Sequence, residues 1–295
     1  MQQLLNGLTL GMVYALIALG YTMVYGVLQL INFAHGEVFM VGAYLALSVI
    51  GFFLPHHLPF WLLLPAVFLL AMLGASLLGA LIEKTAYRPL RRSPKLAVLI
   101  SSIGVSFFLQ NAVMLLYGSK EKNIPEIFPT KSLVLGDVSV TWVTCLIFAV
   151  SIALMFLLTW FVKNTKLGKA MRATAENRQA ASLMGISVDR VVQATFAIGS
   201  ALAAVGGSLF AMNYGSINFH DGYLAGIKAF TAAVFGGIGS IPGAMLGGIL
   251  LGVFEGFGAG YISSEWKDVF AFLLLGAVLV FRPTGILGEN VPEKV

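Results

Sequence analysis

Charge is what this sequence has least of. Asp, Glu, Lys and Arg make up 11% of its 295 residues, against roughly 25% in a soluble domain. Hydrophobic residues make up 58%, and no water-soluble core of this size hides that much apolar surface. A soluble enzyme, a nucleic-acid binder and a disordered chain are therefore excluded. The net charge of +5 needs no nucleic acid, because an excess of Lys and Arg in a membrane protein marks its cytoplasmic loops. Cysteine is nearly absent: Cys145 stands alone inside an apolar run, which excludes a disulfide framework and a zinc cluster. The phosphate-binding pattern of ATPases is missing too. Gly168–Lys169 is followed by Ala170 and lacks the earlier glycine, so the chain does not hydrolyse ATP with a P-loop. No Ser/His/Asp or Cys/His set falls together, so neither catalytic residues nor a metal site is expected. Met1–Gln2–Gln3 carries no basic charge and the apolar run behind it is long, so no cleavable leader is expected.

Long apolar runs are what the chain does have. Eight read as full or near spans, at about 4–28, 37–54, 60–82, 96–117, 141–162, 191–213, 243–260 and 267–281. A ninth, 224–235, covers only ~18 Å as a helix against a hydrocarbon core of ~30 Å. The expected fold is all-α: one polytopic transmembrane domain over 1–295, with about eight spans and a short broken or re-entrant helix.

The loops set the orientation. Residues 84–95 hold Lys84, Arg88, Arg91, Arg92 and Lys95; residues 163–190 hold Lys163, Lys166, Lys169, Arg172, Arg178 and Arg190. Two spans separate these clusters, so both face the cytoplasm. Between them, Lys120, Lys122 and Lys131 are offset by Glu121, Glu126 and Asp137, and 118–140 reads as external. Arg282 puts the C-terminal end inside. Counting spans, 224–260 must begin and end outside, and a straight helix of that length would run ~55 Å. It breaks at Gly236–Gly237–Ile238–Gly239–Ser240–Ile241–Pro242–Gly243, where four glycines and a proline cannot continue a helix. This break is either a feature of the membrane interior or a tight hairpin at the cytoplasmic surface. The same count puts the N-terminus outside, unless Asn32–Phe33–Ala34–His35–Gly36 forms a second deep break, which would allow it to face inward. A break in each half is the pattern left by inverted repeats.

The 163–190 segment is polar yet not loop-like. Ala170, Met171, Ala175, Ala180, Ala181, Leu183 and Met184 favour a short amphipathic helix. Gly185 suits its stop, with Ile186 folding back toward Ala181. Ser187 is placed to cap the next helix, with Asp189 in its first turn. Such a helix is either a solvated connection or a dock for a cytoplasmic partner. Ala175–Glu176–Asn177, Ala180–Ala181 and Gly185–Ile186 resemble the coupling loop of ABC importer permeases, although the order is Ala-Glu-Asn rather than Glu-Ala-Ala.

Two further stretches carry polar groups into apolar surroundings. Asn32, His35 and Glu37 lie in Ile31–Asn32–Phe33–Ala34–His35–Gly36–Glu37, where such groups are costly unless paired or wet. Thr231, Gly236, Gly237, Gly239, Ser240 and Pro242 belong to the break region that starts at Lys228. Unwound backbone at membrane depth survives where it is buried in protein or lines a cavity, so all nine are candidates for a translocation path. Each segment also has a plain reading as an interfacial turn.

With Gly20–Tyr21–Thr22–Met23–Val24–Tyr25–Gly26 and Arg282–Pro283–Thr284–Gly285–Ile286–Leu287–Gly288, these runs closely resemble the LivH-type permease subunits of bacterial high-affinity branched-chain amino acid ABC transporters, over nearly the whole chain. Relatives for urea, amides or other amino acids share parts of the same runs. The resemblance implies a multi-pass protein of the bacterial inner (cytoplasmic) membrane forming half of a translocation path. Its implied partners are a second homologous permease, two cytoplasmic ATPases and a periplasmic amino-acid-binding protein. It implies no cofactor on this chain, ATP being used by partner subunits. Ala175, Glu176, Ala180, Ala181, Gly185 and Ile186 would couple to an ATPase. The contrasting class is an ion-driven secondary carrier with Glu37 or Glu255 as its coupling acid.

Small residues recur every four positions at Gly199, Ala203, Gly207 and Ala211, at Gly248, Gly252, Gly256 and Gly260, and at Gly7 and Gly11. Such ladders let helix backbones approach closely, here expected within the chain. Glu255 lies on the second ladder's helix, where an intramembrane carboxylate is either a proton-coupling group or, a few residues from the outer end, one that simply reaches water.

Overall fold

The computed structural model describes residues 1–56, 59–91, 93–125, 127, 133–135, 138–282 and 284–288. Arg92, Glu126, Lys131 and Asp137, used above for orientation, lie outside them. The helices are α1 Gln2–Leu28, α2 His35–Phe53, α3 Phe60–Ile82, α4 Lys95–Tyr117, α5 Trp142–Asn164, α6 Lys166–Glu176, α7 Arg178–Leu183, α8 Val188–Tyr214, α9 Asp221–Gly236, α10 Ile241–Tyr261 and α11 Lys267–Phe281. Among the described residues, seven are long and apolar enough to span: α1, α2 extended to His56, α3 extended to Tyr87, α4, α5, α8 and α10. The eighth expected span, α11, has 15 residues and α9 has 16. At 1.5 Å per residue they reach only ~22 and ~24 Å.

The ends of α1 fix its direction. Gln2 exchanges two hydrogen bonds with Ser139, at 3.2 and 2.9 Å, in the external loop. At the other end Arg178 donates to the carbonyls of Val27 and Leu28, in the cytoplasmic segment. The N-terminus therefore lies outside. The pairing of strand β1 (Lys122–Asn123) with strand β2 (Ser216–Ile217) joins the external loop to the end of α8, which agrees with the same count.

α1 forms the centre of the bundle, and every residue from Gly11 to Val24 is buried. Glycine lets α10 lie directly on it. A Cβ on Gly252 would stand 2.2 Å from the Gly11 nitrogen, and one on Gly248 would stand 2.5 Å from the Ala15 Cα. These ladders pack inside the chain. Of the two readings of Glu255, the one that takes it to water fails. It is 3% exposed, bonded to the Tyr14 hydroxyl at 2.9 Å and to Lys228 at 2.6 Å. Lys228, one helix back across the break, also holds Asp268 at 2.6 Å. α9 is thereby tied to α10 and α11 by charge.

The two breaks differ in depth. At the later one, α9 ends at Gly236 and the Ser240 hydroxyl caps α10 by accepting from the Gly243 nitrogen at 3.2 Å. Gly239 lies against Gly26, two residues from the end of α1, so this break sits at the cytoplasmic end. It is overlaid by the C-terminal stretch, where Ile286 and Leu287 donate to the carbonyls of Phe235 and Gly236, both at 2.9 Å. The earlier break is the deep one. After Leu28 the chain turns back, and the His35 ring packs against Tyr21 at 4.8 Å and beside Gly20. Gly20 is eight residues, or ~12 Å, before the end of α1. α2 therefore starts inside the bundle while the N-terminus stays external.

Candidate functional site

The 166–185 segment forms two helices rather than the single helix expected. Asn177 separates them because its side chain caps α7, accepting from the nitrogens of Gln179 and Ala180 at 3.0 Å each. α6 buries Met171 and Thr174 and leaves Glu176 exposed. α7 stops as its glycine requires: Gly185 has φ +84° and Ile186 donates to the Ala181 carbonyl at 3.0 Å, the hydrogen bond of a Schellman motif. Ala181 is buried, Ala175 half-buried and Ala180 exposed, so these alanines do not form one open face. What α7 offers outward is Ala180 with Leu183 and Met184, 88% and 83% exposed. Ser187 occupies the cap position of α8 without a side-chain cap bond. Asp189 instead pairs with Arg88 and, at 2.6 Å, with Arg91, which also holds buried Glu83. This pairing clips the first cationic loop to the base of α8.

Inside the bundle, polar side chains line a seam between α4 and the starts of α2 and α9. Ser102, Ser106, Gln110 and Tyr117 share one face of α4, since spacings of four and seven return to the same side of a helix. Opposite them, Asn32 accepts from the Tyr87 hydroxyl at 2.8 Å and from its own turn at the Ala34 nitrogen at 3.1 Å. Glu37 Oε1 accepts from Ser106 at 3.2 Å. Gln110 meets the His220 ring at 2.9 Å. The Tyr117 hydroxyl meets Ser48 at 2.6 Å, and its ring lies 4.7 Å from that of Tyr44. Ser106 is eleven residues from either end of α4, ~16 Å by helical rise, so Glu37 is held near mid-membrane. Four buried polar atoms along α1 and α2 have no partner among the described residues: Thr22 Oγ1, His35 Nε2, Glu37 Oε2 and Tyr44 OH. Buried polar atoms are nearly always bonded, so these four stand out from the rest of α1 and α2.

Of the residues singled out from sequence, Asn32 and Glu37 lie in this seam, bonded to Tyr87 and Ser106, whereas the His35 ring turns to α1, against Tyr21 and Gly20. Thr231 is buried on α9 with its hydroxyl on the Ile227 carbonyl at 2.9 Å. Gly236, Gly237, Gly239, Ser240 and Pro242 lie apart, in the capped hairpin at the cytoplasmic end. Ser106, Gln110 and His220 were missed. The three polar residues at spacing four in the otherwise apolar α4 were the available signal; His220 offered none.

The family described as "Branched-chain amino acid transport system / permease component" matches residues 3–279. The high-affinity branched-chain amino acid transport system permease protein BraD of Pseudomonas aeruginosa is 53% identical, covering 100% of this chain and 98% of its own. The corresponding LivH protein of Escherichia coli is 49% identical over 100% and 97%. A probable branched-chain amino acid transport permease protein, LivH of Methanocaldococcus jannaschii, is 28% identical over 93% and 88%. Among solved structures, PsaBC from Streptococcus pneumoniae in complex with Fab aligns with 96% of this chain and 93% of its own at 15% identity, with a TM-score of 0.46.

Proposed function

We propose, from the premise that the chain belongs to the branched-chain amino acid transport permease family, that it is a membrane permease subunit of an ATP-driven importer of leucine, isoleucine and valine. It contributes half of the translocation path across the bacterial inner membrane. A second homologous permease contributes the other half, a periplasmic binding protein delivers the amino acid, and two cytoplasmic ATPases supply the energy. ATP is bound by those subunits and not by this chain.

The observation that carries this reading is α7. A six-residue helix on the cytoplasmic face, capped at one end by Asn177 and stopped at the other by Gly185, holds exposed Leu183 and Met184 outward. Exposed apolar residues on a rigid cytoplasmic projection are explained by a protein that covers them. Glu176, Ala180 and Gly185 surround that contact, and Ala175, Ala181 and Ile186 support it from beneath. On this reading the seam from Asn32 through Glu37 to His220 lines the path, with Thr231 behind it. The hairpin of Gly236, Gly237, Gly239, Ser240 and Pro242 closes its cytoplasmic end.

The experiment is co-purification. Wild-type permease should bring down its ATPases in stoichiometric amounts. Ala180→Trp overfills the contact, at about 1–3 kcal/mol for a well-packed interface, and Glu176→Lys reverses a charge. Gly185→Val places a β-branched residue at φ +84°, which costs about 1–2 kcal/mol locally. All three should insert normally and lose ATPase. A permease that purifies alone and accumulates amino acid on an ion gradient would refute the importer reading.

A further inference from the structure

We propose that Glu37 binds the ammonium group of the amino acid in transit, giving the permease its own substrate site at mid-membrane. This rests on the importer reading above and names the group that recognises the solute. Glu37 is 1% exposed. Oε1 is anchored by Ser106 and Oε2 has no partner among the described residues. An ionised carboxyl oxygen buried without a partner is costly unless a cation or a proton joins it.

The surroundings keep that oxygen available. It faces Gly222 in the first turn of α9, where a Cβ would stand only 2.4 Å from Oε2, so any side chain there would cover the acceptor. Gly36 and Gly226 meet at the same place: a Cβ on Gly36 would lie 2.6 Å from the Gly226 Cα. The beginnings of α2 and α9 thus close over Glu37 at three glycines, with Met40 beside Gly222 and the Tyr21 hydroxyl beside Gly226.

The charged and titratable neighbours are few. Asp221 stands beside Gly222, with Oδ2 taken by the Asn218 nitrogen at 2.7 Å. His220 is engaged by Gln110 and Tyr21 lies against Gly226. His35 is two residues away on α2, its ring against Tyr21. No Lys or Arg is hydrogen-bonded or ion-paired to Glu37 among the described residues. The one buried lysine of these helices, Lys228, is committed to Glu255 and Asp268. The open Glu37 oxygen is thus left to a proton or to a cation from outside the chain, and a zwitterionic amino acid brings such a cation as its ammonium.

The test uses the assembled complex without the binding protein, in lipid nanodiscs, with ligand-observed saturation-transfer NMR at millimolar concentration. Three probes separate the groups: leucine; leucinol, which keeps the ammonium and lacks the carboxylate; and 4-methylpentanoate, which keeps the carboxylate and lacks the ammonium. Leucine and leucinol should bind and 4-methylpentanoate should not. Glu37→Gln, matched in shape but uncharged, should weaken leucine and leucinol by roughly tenfold or more, 1.4 kcal/mol or above. Gly222→Ala keeps the carboxylate but covers it, and should weaken both as well. Equal binding of 4-methylpentanoate and leucine to wild type, or no binding of leucine, overturns the proposal. So does unchanged binding in an assembled Glu37→Gln complex. If no ATPase accompanies wild type, the importer reading fails, and the probe selectivity of the permease alone still decides the role of Glu37.

Discussion

Replacing Lys228 by Met tests whether charge holds α9 against its neighbours. The Lys228 and Glu255 side chains are 6% and 3% exposed and stand 2.6 Å apart. Methionine fills nearly the same volume, so packing is kept and the charge alone is lost. Glu255 is then left with a single donor, the Tyr14 hydroxyl, and Asp268 loses its cation. Removing one member of a buried pair costs about 3–5 kcal/mol, because the partner remains as an uncompensated buried charge. At about 2 °C per kcal/mol for a chain of this size, the unfolding midpoint should fall by about 6–10 °C. The assay is thermal unfolding of the permease in one detergent, read by loss of the monodisperse peak. The double variant Lys228→Met, Glu255→Gln removes both charges and should recover more than half of the loss, a coupling that two independent sites would not show. If Lys228→Met melts within about 1 °C of wild type, or if the double variant is no better than the sum of the singles, the pair does not hold the helices together.

Two other expectations can be checked with simpler means. At the cytoplasmic hairpin, Gly237→Leu and Gly239→Leu both place a side chain at positive φ, +109° and +97°, a strain of about 1–2 kcal/mol each. Only Gly237 would also drive a Cβ to 2.3 Å from the Gly288 nitrogen, Gly239 having open space; amino acid uptake should therefore fall much further in Gly237→Leu, and equal rates would refute the ranking. In a Cys145→Ala background, an impermeant thiol reagent on intact cells should label Lys120→Cys and not Ser182→Cys, with Ser182→Cys labelled only after permeabilisation. The opposite pattern inverts the topology.

The parts legible in the sequence were those governed by local rules. Apolar run length located the long helices to within a few residues, and the Lys/Arg clusters oriented them. Gly185 and Ile186 announced the stop of α7 because only a glycine takes that turn without strain. The glycine ladders announced α1 on α10 for the same reason: close backbone approach leaves its mark in residue size. The Asn177 cap was written in the chain as well, yet the helix formers on both sides of it, from Ala170 to Met184, read as a single helix.

What was not legible depends on partners far away in sequence. Glycine and proline mark a break but carry no information on its depth. The glycine-rich hairpin 236–240 lies at the surface because it meets Gly26 and the C-terminal stretch. The less conspicuous 29–34 turn is deep because His35 finds Gly20, and Glu37 finds Ser106 69 residues on. Glu255 illustrates the point most sharply. Counted from its helix end it belongs near water, and an isolated carboxylate there would turn outward. Its position is decided by Lys228, 27 residues earlier and on the other side of a break, and by Tyr14, 241 residues away. Each charge alone is an expensive intramembrane group, and pairing them is what makes both tolerable. That pairing also separates the two acidic candidates for function. The Glu255 carboxylate is neutralised by a lysine and bonded at both oxygens, whereas Glu37 keeps one buried oxygen open, and an open acceptor at mid-membrane is what a cationic group in transit requires.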